Sequence, residues 1–185
     1  MFKQCIKSKV IVEKLKCYPK YIKKNTCITQ QIVYTDGSVR LRDKYTGIGL
    51  WYNHLSTNNT HYRLLGRDDS NRAELAAIYT ALAFSDMRYP LTINTDSLNS
   101  IEMIEEHYYE NVIHPSYQQL LLHINQIIQY RDGKTYISKV PAHKNNVGNN
   151  NADRLAKTAP LNRYIIMPDN TVSDVITHIN KQFDV

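Results

Sequence analysis

The chain has 185 residues, which is enough for one domain with a sizeable core or for two small domains at most. Its 42% hydrophobic and 22% charged residues are the balance of a soluble globular protein. No apolar run approaches the roughly 18 residues of a membrane span, and the composition also excludes a coiled coil and a wholly disordered chain. The net charge of +6 favours an anionic partner.

The positive charge is concentrated in residues 1–30. This segment contains eight lysines and a single acid, Glu13. All three cysteines also lie there, without a Cys-x-x-Cys pair or a nearby histidine, so they predict no zinc site. An odd number of cysteines without a secretory signal predicts an intracellular, reducing compartment. Residues 1–30 are therefore predicted to form a basic N-terminal extension.

Strand and helix signals begin at residue 31. Strands are predicted at 32–36, 48–54, 61–65, 91–96 and 135–140, and helices at 71–87, 97–108, 116–131, 149–157 and 172–183. Gly37-Ser38 is expected to end the first strand, and Ser70 to be the N-cap of the first helix. The polar turn at 55–59 predicts an antiparallel hairpin.

This order of elements predicts one α/β domain over residues 31–159, followed by a C-terminal extension, 160–185, with a short helix. A hairpin followed by βαβ crossovers favours a mixed five-stranded sheet with helices on both faces. The later strands are expected to join the first strand in parallel.

Two predicted strands end in nearly the same phrase, Thr35-Asp36-Gly37-Ser38 and Thr95-Asp96-Ser97. If these strands are neighbours, the two carboxylates lie roughly 5 Å apart and repel each other unless a cation lies between them. A single aspartate at a strand end more often caps a turn or helix, but a matched pair favours a site. Glu74 in the next helix is a third candidate, although the helix dipole alone could explain it. Oxygen ligands without cysteine or clustered histidine suit Mg²⁺ or Mn²⁺.

A histidine and a fourth acid lie near the end of the predicted domain. His143 is in an asparagine-rich loop, and Asp153 lies in the following helix, four residues before Lys157. Considered alone, these residues have a simpler explanation, because a polar loop can carry a surface histidine and Asp153 can pair with Lys157.

Four segments together resemble the signature blocks of type 1 ribonuclease H, in the same order and with similar separations. They are Tyr34-Thr35-Asp36-Gly37-Ser38, Ser70-Asn71-Arg72-Ala73-Glu74-Leu75, Thr95-Asp96-Ser97 and the segment from His143 to Asp153. The resemblance covers about residues 32–159 and implies the ribonuclease H-like fold, with the strand order 3-2-1-4-5. The sequence from Gly148 onwards is especially similar to the ribonuclease H domains of retroelement reverse transcriptases.

The resemblance implies an endonuclease that hydrolyses the RNA strand of RNA/DNA hybrids and leaves 5′-phosphate and 3′-hydroxyl ends. Two Mg²⁺ ions, for which Mn²⁺ can substitute, would be held by Asp36, Glu74, Asp96 and Asp153. His143 would assist proton movement or the release of metal and product. The implied substrate contacts are Gly37, Ser38, Ser70, Asn71, Arg72 and Ser97. Arg72 and Ser97 also have structural explanations, as a surface ion pair and a helix cap respectively.

Three departures from the family pattern bear on substrate binding. Residues 39–44 stand where many members have a glycine-rich stretch, and Leu98 stands where a polar residue often follows the Asp-Ser pair. Residues 105–118 contain no lysine or arginine, whereas many cellular members carry a basic, tryptophan-bearing insertion there. The lysine-rich residues 1–30 are a candidate replacement for it, with a solvated tail or a polyprotein linker as the alternative.

Two other functions fit parts of the pattern. A catalytically inactive hybrid-binding module of the same fold would have no need for four mutually repelling acids. A strand transferase or junction resolvase of the same superfamily would share the metal-binding acids, but the positions of Glu74 and His143 favour the hybrid nuclease. We expect an intracellular monomer with no membrane partner, which binds RNA/DNA hybrid and can be joined to a reverse transcriptase or another polyprotein domain.

Overall fold

One mixed sheet of seven strands organises the described part of the protein. The structure is a computed structural model that describes residues 9–11, 30–142 and 146–183. Its strands are β1 (Lys9–Ile11), β2 (Gln31–Arg40), β3 (Tyr45–Trp51), β4 (Thr60–Leu64), β5 (Leu91–Thr95), β6 (Thr135–Lys139) and β7 (Tyr164–Ile165). They lie in the order β1-β6-β5-β2-β3-β4-β7. The pairs β1/β6, β2/β3 and β3/β4 are antiparallel, and the other three pairs are parallel.

Among the described residues, five α-helices accompany the sheet: α1 (Ser70–Phe84), α2 (Leu98–Tyr109), α3 (Gln118–Tyr130), α4 (Val147–Lys157) and α5 (Val172–Phe183). α1 packs on β2, β3 and β5 and also contacts α2 and α3, whereas α4 packs on β2, β3 and β4. In the described part of the chain, none of the helices combines the length and the apolar character that crossing a membrane requires.

The five central strands confirm the predicted sheet. β2 to β6 correspond to the five predicted strands, and their order β4-β3-β2-β5-β6 is the expected order 3-2-1-4-5. β1 and β7 add one strand at each edge, and neither was predicted. With three and two residues, they are too short to show the alternation of polar and apolar residues by which strands are recognised.

Gly37 and Ser38 do not end the first strand, contrary to the prediction. β2 continues through both residues and remains paired with β3 to its end. The missing side chain at residue 37 serves packing rather than a turn, because a Cβ there would lie 2.5 Å from the backbone of Ala73 and Glu74. α1 can therefore approach β2 closely, and Glu74 comes to lie beside the strand that carries Asp36.

The ends of α1 also differ from the prediction. Asp69, not Ser70, is the N-cap, because Asp69 has extended backbone and its side chain accepts a hydrogen bond from the N–H of Arg72 at 2.9 Å. The helix ends at Phe84 rather than at residue 87. Ser85 is extended, and its hydroxyl donates to a backbone carbonyl of the last turn.

α1 and α4 cover opposite faces of the sheet, as predicted, and glycines allow both helices to approach it. Gly49 lies opposite Asp36 in the β2–β3 pair, and a Cβ on Gly49 would lie 2.2 Å from the carbonyl oxygen of Ala152 in α4. Gly37 faces α1 instead. Because successive residues of a strand point to opposite faces, the Asp36 side chain is on the α4 face.

The segment after residue 160 contributes to the same sheet and core. β7 pairs with β4, and Met167 is 2% exposed among the core residues. Arg72, which is also 2% exposed, forms a doubly bonded ion pair with Asp169, with Nε–Oδ2 at 2.6 Å and Nη2–Oδ1 at 3.0 Å. This pair ties the C-terminal segment to the first turn of α1.

The substitution Asp169→Asn is therefore expected to destabilise the protein strongly. It leaves the buried Arg72 guanidinium without a counter-charge, which typically costs about 3–5 kcal/mol. Urea unfolding followed by circular dichroism measures the effect. The matched control is Asp86→Asn, which weakens an exposed pair with Arg88 that water screens, so it should have a small effect. Equal losses for the two variants would contradict the structural role of the buried pair.

Candidate active site

Three acidic residues meet where β2 and β5 part. Thr35 and Thr95 form the last register pair of these two parallel strands. The residues that follow are Asp36, in the part of β2 that continues beside β3, and Asp96, where the chain turns towards α2. α1 brings Glu74 to the same place. One carboxylate oxygen from each acid lies within 4.8 Å of the other two, so the structure brings together three of the four predicted acids.

Burial and mutual repulsion make two of these carboxyl groups weak acids. Asp36 is only 5% exposed. Desolvation, together with the charges of Asp96 and Asp153, raises the pKa of Asp36 from 3.8 to about 8, and a nearby lysine partly opposes the shift. Desolvation, followed by the charges of Asp36 and Asp96, also raises the pKa of Glu74 well above its usual range, although a hydrogen bond from the Gly37 backbone opposes it. The cluster therefore resists full ionisation in the absence of a cation.

The oxygen atoms of this cluster suit a divalent cation. Oε2 of Glu74 is buried without a hydrogen-bond partner. Carboxylate oxygens are the ligands that Mg²⁺ prefers, and a bound cation would both satisfy this oxygen and reduce the repulsion. Asp36, Glu74 and Asp96 thus fit the metal centre that the sequence predicts.

Two side chains that were not among the predicted site residues hold Asp96. Asn149, buried in the first turn of α4, donates from Nδ2 to Oδ2 of Asp96 at 2.9 Å. Lys139, at the end of β6, donates from Nζ to the backbone carbonyl of Asp96. The place of Asn149 within the fourth sequence block was a signal that could have found it. Nothing comparable marked Lys139, because its contact depends on the register between β5 and β6, in which Lys139 pairs with Thr95, the residue before Asp96.

Asp153 lies within electrostatic range of the three acids but is paired elsewhere. Its two oxygens are 2.7 and 2.8 Å from Nζ of Lys157, one helical turn further on. Its charge contributes to the raised pKa of Asp36, although it is not one of the three acids within 4.8 Å of one another. The pair with Lys157, the simpler explanation of this residue, is therefore present in the structure.

The predicted substrate contacts near the strand ends have structural partners. Gly37 packs against α1, and Ser38 is buried in β2 at 8% exposure. Ser97 is the N-cap of α2, and its hydroxyl oxygen accepts from the N–H of Ser100 at 3.2 Å. His143 lies outside the described residues.

The three predicted contacts at the start of α1 have different surroundings. Ser70 is exposed and Asn71 is half-buried beside it. Both predictions for Arg72 are wrong. Its guanidinium is buried and bonded to Asp169. It therefore cannot make the substrate contact that the resemblance implied, nor a surface ion pair. The sequence could not reveal this burial, because Asp169 is far away along the chain.

The raised pKa values predict that metal-free protein loses stability as the pH rises. The pKa of Asp36 is 3.8 in its ordinary state and about 8 in the fold, so the folded protein binds more protons than the unfolded chain between these values. The free energy of unfolding therefore falls with increasing pH across this window. In EDTA the melting temperature should decrease from pH 5 to pH 8, and Mg²⁺ should raise it most at the upper end.

The variant Asp36→Asn distinguishes the contribution of this cluster to the pH dependence of stability from that of the other titrating groups of the protein. Its melting temperature in EDTA should vary less with pH than that of the parent, and the stabilisation by Mg²⁺ should be smaller. If the variant keeps the full pH dependence of the parent, the repulsion does not arise at this cluster.

Comparison with known families agrees with this geometry. The RNase H family model matches residues 29–160, well over half of the chain. The match spans β2 to β6, α1 to α4 and all four predicted acids, and it gives the chain a ribonuclease H-type nuclease domain. No curated protein matches the chain. The family match and the observed strand order show that this chain belongs to the ribonuclease H family.

Proposed function

We propose that the protein hydrolyses the RNA strand of RNA/DNA hybrids by a two-metal-ion mechanism, with Mg²⁺ or Mn²⁺, and leaves 5′-phosphate and 3′-hydroxyl ends. The observation that supports this is the meeting of Asp36, Glu74 and Asp96 within 4.8 Å in a chain of the ribonuclease H family. The three acids, one with a buried unpartnered oxygen, repel one another when they ionise, and a bound cation would offset that repulsion.

The residues of the site have distinct tasks in this proposal. Asp36, Glu74 and Asp96 hold the cations, and Asn149 keeps the Asp96 carboxylate in place through the bond to Oδ2. Asp153 joins them by giving up Lys157, a half-exposed partner on the surface of α4 that holds it weakly. Divalent cations, when bound, activate the attacking water and stabilise the departing 3′ oxygen.

His143 and the substrate contacts complete the proposal. His143, which precedes α4 in the sequence, assists proton movement or the release of metal and product, a role for which the histidine side chain is suited in general. Ser70, Asn71 and the backbone at Gly37 and Ser38 meet the minor groove, where the 2′-hydroxyl distinguishes RNA from DNA. Ser97, whose hydroxyl caps α2, positions the start of that helix next to Asp96.

We also propose the domain bounds, the oligomeric state, the location and the partners of the enzyme. The ribonuclease H domain comprises residues 31–159, and the chain acts as an intracellular monomer. Its partners are RNA/DNA hybrid and, by the similarity of the fourth sequence block, a reverse transcriptase or another polyprotein domain.

The variant Asp36→Asn tests the proposed chemistry. It should abolish cleavage of a labelled RNA/DNA hybrid in Mg²⁺ because one metal ligand is lost, yet it should still bind the hybrid because the negative charge near the phosphates decreases. Asp132→Asn is the matched control, since Asp132 is exposed just before β6, at the opposite end of the strand from the site.

The same assay distinguishes the alternative functions. The parent should cleave the hybrid in Mg²⁺, not in EDTA, and should leave double-stranded DNA and four-way junctions intact. Cleavage of junctions would indicate a resolvase, and binding without any cleavage would indicate an inactive module. Turnover of Asp36→Asn within about tenfold of the parent would reject the role of Asp36.

The lysine-rich segment gives a separate prediction for binding. This segment could replace the basic insertion that many cellular family members carry. In that case, hybrid affinity should depend less on salt when Gln replaces Lys14, Lys16, Lys20, Lys23 and Lys24, because fewer counterions are released. These positions spare β1, so the edge pairing with β6 can remain. Fluorescence anisotropy at several salt concentrations measures the slope. An unchanged slope would assign the segment to a tail or a linker.

A further inference from the structure

A group of side chains that we call the Asn71 cluster joins the starts of three helices beside the acidic site. Its members are Asp69 and Asn71 at the start of α1, Asn99 in the first turn of α2, and Tyr117 immediately before α3. Asn71 lies three residues before Glu74 along α1. The cluster therefore connects the acidic site to surface that α2 and α3 contribute.

The Asn71 amide is held at both ends. Nδ2 of Asn99 donates to Oδ1 of Asn71 at 2.9 Å, and Nδ2 of Asn71 lies 3.5 Å from the hydroxyl of Tyr117. An amide that is engaged through its oxygen and through one N–H has a fixed orientation, and its second N–H remains for a ligand. Asn71 is half-buried and Asn99 is exposed, so this oriented amide borders the solvent.

Tyr117 also holds the loop from which α1 begins. Its hydroxyl lies 3.0 and 3.3 Å from the two carboxylate oxygens of Asp69, the N-cap of α1. The guanidinium of Arg67 lies 5.1 Å from the centre of the Tyr117 ring, and Arg67 donates to the carbonyl of Ser116 at 2.5 Å. These contacts fix the hydroxyl of Tyr117 relative to the first turn of α1.

We propose that Asn99 and Tyr117 are positioning residues, which hold the Asn71 amide for the minor groove of the hybrid and so increase the preference for RNA/DNA over DNA. This inference rests on the proposed function. The minor groove of such a duplex presents 2′-hydroxyl groups that both donate and accept hydrogen bonds, and an amide with a fixed donor can discriminate them.

The neighbouring residue of α2 supports the assignment to Asn99. Leu98, which follows the Asp-Ser pair, is 42% exposed and has no side-chain group that can form a hydrogen bond. The next residue, Asn99, directs its amide to Asn71. The polar contact near this helix start is thus provided by the Asn99–Asn71 pair, which joins α2 to α1.

The experiment compares Tyr117→Phe and Asn99→Ala with the parent. Phenylalanine keeps the ring under Arg67 and removes only the hydroxyl. Dissociation constants for one RNA/DNA hybrid and for the DNA duplex of the same sequence are measured in EDTA, and kcat and KM for the hybrid in Mg²⁺. Each variant should weaken hybrid binding by roughly three- to tenfold, the usual effect of one lost hydrogen bond, and should affect DNA binding less. KM should rise while kcat changes little.

Combination with Asn71→Ala tests whether both residues act through Asn71. In that background, Tyr117→Phe and Asn99→Ala should cause no further loss of hybrid affinity, because the group that they position is absent. Additive losses, or equal losses for hybrid and DNA together with a lower melting temperature, would show a merely structural role and overturn the inference. Tyr130→Phe is the control, since Tyr130 lies at the other end of α3 and is 79% exposed.

The outcomes for the parent separate this inference from the function on which it rests. A parent chain that does not bind the hybrid overturns the proposed function and this inference together. A parent that binds and cleaves the hybrid, with variants that keep its preference for hybrid over DNA, overturns only the inference.

Discussion

Repulsion among three partly buried carboxylates is the constraint on which the centre of this domain depends. Asp36 lies in β2, Glu74 in α1 and Asp96 directly after β5, and one carboxylate oxygen of each lies within 4.8 Å of the other two. Burial raises the free energy of each charge and the neighbouring charges raise it further, which is why the pKa of Asp36 is about 8. Such an arrangement persists only because the surrounding structure fixes the backbone at all three positions and because a cation can offset the repulsion.

The backbone at these positions is fixed by close packing on both faces of the sheet. Gly37 lets α1 approach β2, and Gly49 lets α4 approach β3 from the other side. The buried pair of Arg72 and Asp169 fixes the start of α1 from the C-terminal segment. Asp36 in β2 and Glu74 in α1, two of the three acids that could hold a metal ion, therefore lie on elements that pack closely on each other.

Sequence patterns predicted most of this architecture because the central elements are long and periodic. The five central strands, their order, and the alternation of strands and helices all follow the predicted arrangement. The errors share one cause, which is that local signals had to be interpreted without knowledge of their neighbours. Gly37-Ser38 was predicted to be a turn because the sequence does not distinguish a glycine in a turn from a glycine in a strand that leaves room for a packed helix. Asp69 and Ser70 are adjacent residues that can both cap a helix, and only the backbone conformation decided between them.

By itself, the sequence determined the fold class and marked Asp36, Glu74 and Asp96 as candidate metal ligands, because these depend on residue type, periodicity and spacing. Asp153 became a candidate only through the resemblance of four segments to a known family. The tertiary structure alone decided how the acids are arranged: three of them converge, while Asp153 is paired with Lys157. It also decided that Arg72 is buried against Asp169, that Asn149 holds Asp96, and that Tyr117 and Asn99 meet at Asn71. The physical reason is that such contacts join residues far apart along the chain, and their distances are set by packing that no local pattern encodes.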